Sequence, residues 1–385
     1  LAQTTTNMQL PPPSMQETIL LSLAFLSWLI QLWFLLRRIR PLAFYKASAN
    51  TSPFKEPVSI VICAKNEADN LRRFLPQILE QDYPEFQVVV VNDASEDDTE
   101  LVLAELKSIH PHLYYTSIPL DQKFSHGKKL ALTIGVKAAR FPYLLLTDAD
   151  CRPLSPQWLQ TMVQGFSKPD TVLILGFGAY EKNKGFANLL QRYDTFFVAL
   201  QYLGFALSGK PYMGVGRNLA YTKKLFTEHK GVSQHAHLLS GDDDLFVQAH
   251  ARKSNTHIEI SPKAHTLSQA VSTLKKWRQQ KARHLSTAAH YRKSLRLELG
   301  LEPVSRQILF ASSVVLIFFN TFASIALVLL GLRFFLLLLL WHKAAGLLNQ
   351  GRLYWSVLIF DWLHPWLLLW AGLENRNKSK RKQWK

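Results

Sequence analysis

The chain has 385 residues, is 48% hydrophobic and carries a formal charge of +17. That length accommodates a full globular core with segments to spare. Its two cysteines, Cys63 and Cys151, are too few and too isolated for a disulfide framework, which excludes a disulfide-stapled module and fits a reduced compartment.

In chain order, residues 1–17 read as a disordered leader, with Met8 or Met15 the expected start. Thr18–Leu36 is nineteen residues without a formal charge, long enough to cross ~30 Å of hydrocarbon. No basic stretch precedes it and no small-residue cleavage pattern follows, so it reads as a retained anchor rather than a signal peptide. Arg37, Arg38 and Arg40 follow directly, the pattern of a flank kept in the cytoplasm. Residues 37–56 form a linker. Beyond it come the strand-length runs Val58–Cys63, Gln87–Val91, Tyr143–Thr147 and Val172–Leu175, alternating with helical patterns over 68–81, 97–109 and 128–140. That alternation predicts an α/β fold over residues 57–267, with a doubly wound, mostly parallel sheet covered on both faces. Ligands bind beyond the carboxyl ends of such strands, which points to Ala64–Glu67, Asn92–Ser95 and Asp148–Asp150.

Residues 268–307 are basic and helical in pattern, expected as amphipathic interfacial helices. Residues 308–372 hold two or three membrane segments: the uncharged Ile308–Leu330, the shorter Phe334–Leu348 interrupted by His342 and Lys343, and Leu353–Ala371. Residues 373–385 form a basic tail. A tail on the same side as a cytoplasmic catalytic domain requires an even number of spans after residue 307. Lys275–Arg296 holds eight Lys/Arg and no acid, and Arg376–Lys385 six more. With no zinc-type spacing or nucleic-acid module, these runs point to anionic head groups, at about 1 kcal/mol per residue, and not to nucleic acid.

Three clusters carry chemistry. Asp148 and Asp150 follow an apolar run at i, i+2 and can approach one divalent cation, Mg2+ or Mn2+, which hard oxygen ligands suit. Asp242, Asp243 and Asp244 repel one another; such a cluster can hold one carboxylate protonated to higher pH as a general base, or simply open a helix. In Trp277–His284, Arg283 could clamp a diphosphate with His284 adding a hydrogen bond, although alone the run reads as a basic helix facing the membrane. Asp361 and His364 lie in a predicted span and are expected to pair with each other at i, i+3.

VSIVICAKNE (58–67), VVNDAS (90–95), GKKLAL (127–132), LLTDAD (145–150), GVGRNLAY (214–221), GDDDL (241–245) and WRQQKARH (277–284) occur in this order. Together they resemble the membrane-anchored, inverting family 2 glycosyltransferases of the GT-A fold, over roughly residues 57–290. The resemblance implies a donor nucleotide held by Ala64, Glu67 and Asp93, with Lys128 near its phosphates and Asp148 beside it. It implies a metal on Asp148 and Asp150, with Asp150 the more direct ligand. It makes the acid cluster the catalytic base, with Asp243 preferred and Asp242 the alternative, depending on whether Phe246 or Leu245 fills the next apolar position. Gln280, Arg283 and His284 then border diphosphate and acceptor, with His284 where the family carries Trp. Gly214, Gly216, Arg217 and Asn218 resemble an acceptor-side loop.

The expected reaction moves a sugar from a nucleotide donor, a UDP-sugar foremost, to an acceptor hydroxyl of a lipid or glycan at a bacterial-type inner membrane. A polysaccharide synthase is the alternative, for which a homodimer would have to build the channel. A membrane-bound nucleotidyltransferase is the second alternative.

Overall fold

The computed structural model describes residues 14–46, 53–121, 127–229, 231–232, 238, 240–320 and 322–377. Most of the expected leader and the end of the basic tail lie outside the described residues.

Runs of Val, Ile and Leu bounded by turn residues form the strands, as a sheet buried on both faces requires. β1 (Val58–Ala64) is buried at all seven positions and lies between β2 (Phe86–Asp93) and β4 (Tyr143–Asp148), parallel to both. β3 (Leu113–Ile118) extends the sheet beyond β2. On the other side β8 (Leu219–Thr222) runs antiparallel to β4 and to β6 (Leu173–Leu175), and β9 (Thr256–Ile258) closes the order β3-β2-β1-β4-β8-β6-β9. A second sheet orders β5 (Cys151–Pro153), β10 (Thr266–Ser268) and β7 (Gly178–Tyr180). Helices α2 (Ala68–Leu79), α3 (Thr99–Ile109) and α4 (Lys128–Ala138) connect the parallel strands. Gly135 lets α4 approach the sheet, since a Cβ there would lie 2.6 Å from Val61 Cγ1. Short helices α5 (Trp158–Val163) and α7 (Lys223–Glu228) precede α8 (Asp244–His250) and α9 (Leu274–Ala288). Between β7 and β8 runs α6 (Phe186–Leu207), unassigned from sequence and buried on most of its faces.

Among the described residues, four helices are long and apolar enough to cross a membrane: α1 (Met15–Ala43), α10 (Lys293–Phe318), α11 (Ala323–Leu347) and a segment (Gly351–Leu373) that contains most of α12 (Val357–Asn377). Their bounds correct the sequence reading. α1 begins at Met15, not Thr18, because Ser14 and Glu17 form a reciprocal capping box. It also continues through the first residues of the expected linker to Ala43. Arg38 does not face head groups: it is buried, paired with Glu298 and stacked 4.2 Å over Phe205. No break separates an interfacial helix from a span near residue 307, since α10 is continuous there. Ile308–Leu330 is not one span. It turns at Asn320 and Phe322, both with φ near +55°, a conformation asparagine tolerates unusually well. The supposedly short Phe334–Leu348 therefore belongs to the 25-residue α11. If all three C-terminal helices cross, the basic tail lies opposite the catalytic domain, against the expectation from charge.

Helix α1 and the α/β domain are packed together. At Gly204 of α6 a Cβ would lie 1.8 Å from the carbonyl oxygen of Arg38, so only glycine permits this crossing. Within the bundle, Asp361 accepts from Arg333 Nη1 (2.6 Å) and Arg306 Nη1 (3.1 Å), and Gln31 Oε1 accepts from Arg333 Nη2 (2.9 Å). The expected local pair of Asp361 and His364 does not form. Each side chain instead reaches a neighbouring helix.

Candidate active site

The carboxyl ends of β1 and β4 and the first turn of α4 open onto a cavity of about 450 Å3. Lys65, Glu67, Lys128, Asp148, Asp150, Asp242, Asp243, Asp244, Gln280, Arg283 and His284 all line it. Two acid clusters almost a hundred residues apart in sequence therefore converge. Lys128, the first residue of α4, joins them: its Nζ lies 2.6 Å from Asp148 Oδ1 and 3.5 Å from Asp242 Oδ2. Burial alone would lower the Lys128 pKa, but Asp148, Asp242 and Asp243 hold it well above the ordinary value. Burial likewise opposes ionisation of Asp148, and Lys128 outweighs it, so this carboxyl titrates below its usual range. Asp150 shifts upward through burial and the nearby charge of Asp148.

Ligand atoms of Asp148, Asp150 and Cys151 lie within 4.8 Å of one another. The carboxylates fit a hard divalent cation. The thiol does not, because burial drives its pKa well up and it is already engaged with Ser268 Oγ at 2.9 Å. A metal would thus rest on Asp148 and Asp150.

The acid triplet divides into three environments. Asp242 faces Lys128. Asp244, at the cavity wall, accepts from Leu245 N (2.7 Å), Tyr291 OH (2.7 Å) and Thr287 Oγ1, tying α8 to the segment that follows. Asp243 accepts from Gly216 N and Asp244 N, both at 2.8 Å. Burial, then Asp242 and Asp244, push its pKa up to about 7. Leu245 and Phe246 are both buried, so the apolar position after the motif does not set the register; side-chain geometry does. Gly216 lies close by, and a Cβ there would touch both Asp243 Oδ2 and Lys128 Nζ at 3.4 Å.

On α9, Gln280 donates to Tyr180 OH (2.9 Å) and accepts from Gln191 Nε2 (3.1 Å). Trp277 and Lys281 are buried, at 1% and 7% exposure, so one face of this basic run packs against the site while Lys275, Lys276 and Gln279 are exposed. Although His284 is solvent-exposed where it lines the cavity, desolvation by its neighbours, then the charges of Arg283 and Lys281, lower its pKa and favour a neutral ring. Glu67 is pushed up to about 7 by burial, with Asp150 and Asp148 adding to it and an Asn70 hydrogen bond opposing. Ala64 and Asp93 are wholly buried at the ends of the adjacent strands β1 and β2 and do not line this cavity.

Asp194 and Tyr180 line the cavity without any assignment from sequence, and Arg217, expected in an acceptor-side loop, joins them. Arg217 is buried against the Tyr180 ring, 4.5 Å from its centroid, and donates to Gly178 O at 2.9 Å. Asp194 on α6 accepts from Lys281 Nζ (2.6 Å) and His364 Nε2 (2.9 Å), joining α9 to α12. A signal for Asp194 is present in the chain: it is the one acid in a 22-residue apolar helix.

Residues 59–230 match the family described as glycosyl transferase family 2. A poly-β-1,6-N-acetyl-D-glucosamine synthase of Staphylococcus epidermidis is 30% identical over 95 residues, 25% of this chain and 22% of that protein. The glycosyltransferase AglE of Haloferax volcanii is 28% identical over 200 residues, 50% of this chain and 60% of that one. The chain thus matches less than two thirds of the length of either relative. Among solved structures, a mannosyltransferase of Pyrobaculum calidifontis in complex with GDP-Man and Mn2+ superposes with a TM-score of 0.61 at 18% identity, covering 95% of this chain and all of the other. At that identity the likeness concerns the fold. With the ordered motifs and the sheet above, these matches show that residues 59–230 resemble the family 2 glycosyltransferases, on a GT-A fold, in a chain whose described residues include four helices long and apolar enough to cross a membrane.

Proposed function

We propose that the protein transfers a sugar from a nucleotide-diphosphate donor, a UDP-sugar foremost, to a hydroxyl of a lipid or lipid-linked acceptor, with inversion. The observation that carries this reading is the meeting of Asp148/Asp150 with Asp243 in one cavity, where Lys128 joins Asp148 to Asp242, the neighbour of Asp243. Asp243 takes the acceptor proton, the acceptor oxygen bonds the anomeric carbon, and the bond from that carbon to the diphosphate breaks on the opposite face. The electron pair leaves with the nucleoside diphosphate. A divalent cation on Asp148 and Asp150 would offset charge on that leaving group. Arg283 supplies fixed positive charge to the same oxygens, and neutral His284 can donate one hydrogen bond. Glu67 and Lys65, which follow β1 and line the cavity, would border the nucleotide, while buried Ala64 and Asp93 shape the strand ends beneath it. The positive flank at Arg37–Arg40 supports a catalytic domain facing the cytoplasm of a bacterial-type inner membrane.

Polymer synthesis is the second reading, favoured by the match to the poly-N-acetylglucosamine synthase. Both are tested by incubating the purified protein with radiolabelled nucleotide sugars, membrane extract, and Mg2+, Mn2+ or EDTA. The first reading predicts nucleoside diphosphate release, loss of at least about 100-fold in rate with EDTA, and label in the organic phase. Label in a precipitable polymer would favour the second reading, and pyrophosphate release would replace both with nucleotidyl transfer.

A further inference from the structure

We propose that the acceptor is an uncharged, hydroxyl-bearing amphiphile that enters from the bilayer beside α6, α10 and α12, and that phosphate-bearing head groups are rejected. This rests on the glycosyltransferase reading and specifies its acceptor. The cavity that holds the acid clusters also extends to Leu299 and Pro303 of α10 and Leu368 of α12. Both of these helices are long and apolar enough to lie in a membrane, and Phe197 and Val198 of α6 add apolar wall. A lipid can therefore present its head group to Asp243 while its chains stay in hydrocarbon.

Charge selects the head group. The chain as a whole is strongly basic, yet the cavity is lined by eight Asp/Glu against six Lys/Arg. Near its membrane end the cations are already engaged, Lys281 with Asp194, and Arg306 with Glu302 and Asp361. Lys128 serves Asp148 and Asp242. Lys65, just after β1, and Arg217 and Arg283 remain for the donor, whose diphosphate and metal cancel much of each other's charge. An acceptor phosphate would thus stand beside Asp242 and Asp243 with no cation assigned to it, and like charges in a buried site repel strongly.

Reactivity points the same way. A phosphate oxygen is already an anionic nucleophile, whereas a hydroxyl must give up its proton as it attacks. Asp243, held by two backbone amides, is placed to receive that proton. As the O–H proton passes to its carboxylate, the new C–O bond forms and the diphosphate departs. Pro303 also removes the amide that would bond the carbonyl of Leu299, leaving an acceptor suited to a hydroxyl donor at the cavity wall.

The test uses full-length protein in nanodiscs with photoactivatable diacylglycerol, ceramide and phosphatidic acid of matched chains, followed by peptide mapping. Labelling of residues 186–207, 293–318 and 357–377 is normalised to 323–347. At least one neutral probe should label the cavity helices about tenfold more than phosphatidic acid, and Leu368→Trp should reduce that labelling. Equal or stronger labelling by phosphatidic acid, or no neutral labelling above the normalising segment, overturns the inference. Nucleotide-sugar hydrolysis is measured in the same nanodiscs. Hydrolysis without selective labelling defeats the acceptor assignment alone; absence of hydrolysis with every donor defeats the glycosyltransferase reading beneath it.

Discussion

At Asp243, burial and two neighbouring acids favour the protonated form, while Lys128 and the amide of Gly216 favour the charged one. The first group prevails, and the carboxyl sits at about 7, where a base can both exist ionised and accept a proton readily. Asp243→Asn keeps the shape and removes the base, so transfer should fall by about 10²–10⁴-fold with donor affinity nearly unchanged, as read by turnover and by calorimetry with the nucleotide sugar. If instead Asp242→Asn is dead and Asp243→Asn active, the base moves by one position. The same geometry sets a pH dependence. Its raised pKa means Asp243 is increasingly protonated as pH falls below about 7. Turnover should therefore drop about tenfold per unit on the acid limb, and Asp243→Asn should lose that limb.

Among the elements, α9 brings Gln280, Arg283 and His284 to the cavity, and its orientation depends on Asp194 of α6. Asp194 pairs with Lys281, two residues before Arg283, and with His364 of α12. Asp194→Asn leaves Lys281 buried without its counter-charge. A misplacement of the order of 1 Å at Arg283 would cost roughly 10²-fold in kcat. The measurement that separates positioning from donor binding is a kcat–KM split: kcat should fall while the KM for donor stays within about twofold. Sequence pattern located β1, β2, β4 and β6 and helices α2, α3 and α4 to within a few residues, because alternation of buried runs and amphipathic stretches is a local signal; β3 and the short strands β5 and β7–β10 went unmarked. It missed α6, whose nearly continuous apolar surface has no amphipathic stripe to read.

Over the whole molecule, charged side chains hold the membrane helices together. Arg306, Arg333 and Asp361 are each no more than 3% exposed, and Gln31 connects them to α1. Removing one member leaves an uncompensated buried charge, which costs about 3–5 kcal/mol. Asp361→Ala should thus lower the Tm of the detergent-solubilised protein clearly, whereas Leu369→Ala on the exposed face should not. Since Glu302 and Arg306 also line the cavity, the same network forms the membrane-side wall of the site.

Sequence alone determined the class of fold, the apolar segments at both ends and the acid clusters at Asp148–Asp150 and Asp242–Asp244. Each is written in short stretches of chain: strand-length apolar runs, uncharged spans, carboxylates placed just after a strand. Tertiary structure decided which groups meet. Lys128 between two distant acid clusters, the separate environments of Asp242, Asp243 and Asp244, and the partners of Asp361 and His364 all depend on helices and strands far apart in sequence packing against one another. A side chain inside a bundle pairs with what its neighbours present. Spacing along its own helix does not reveal that.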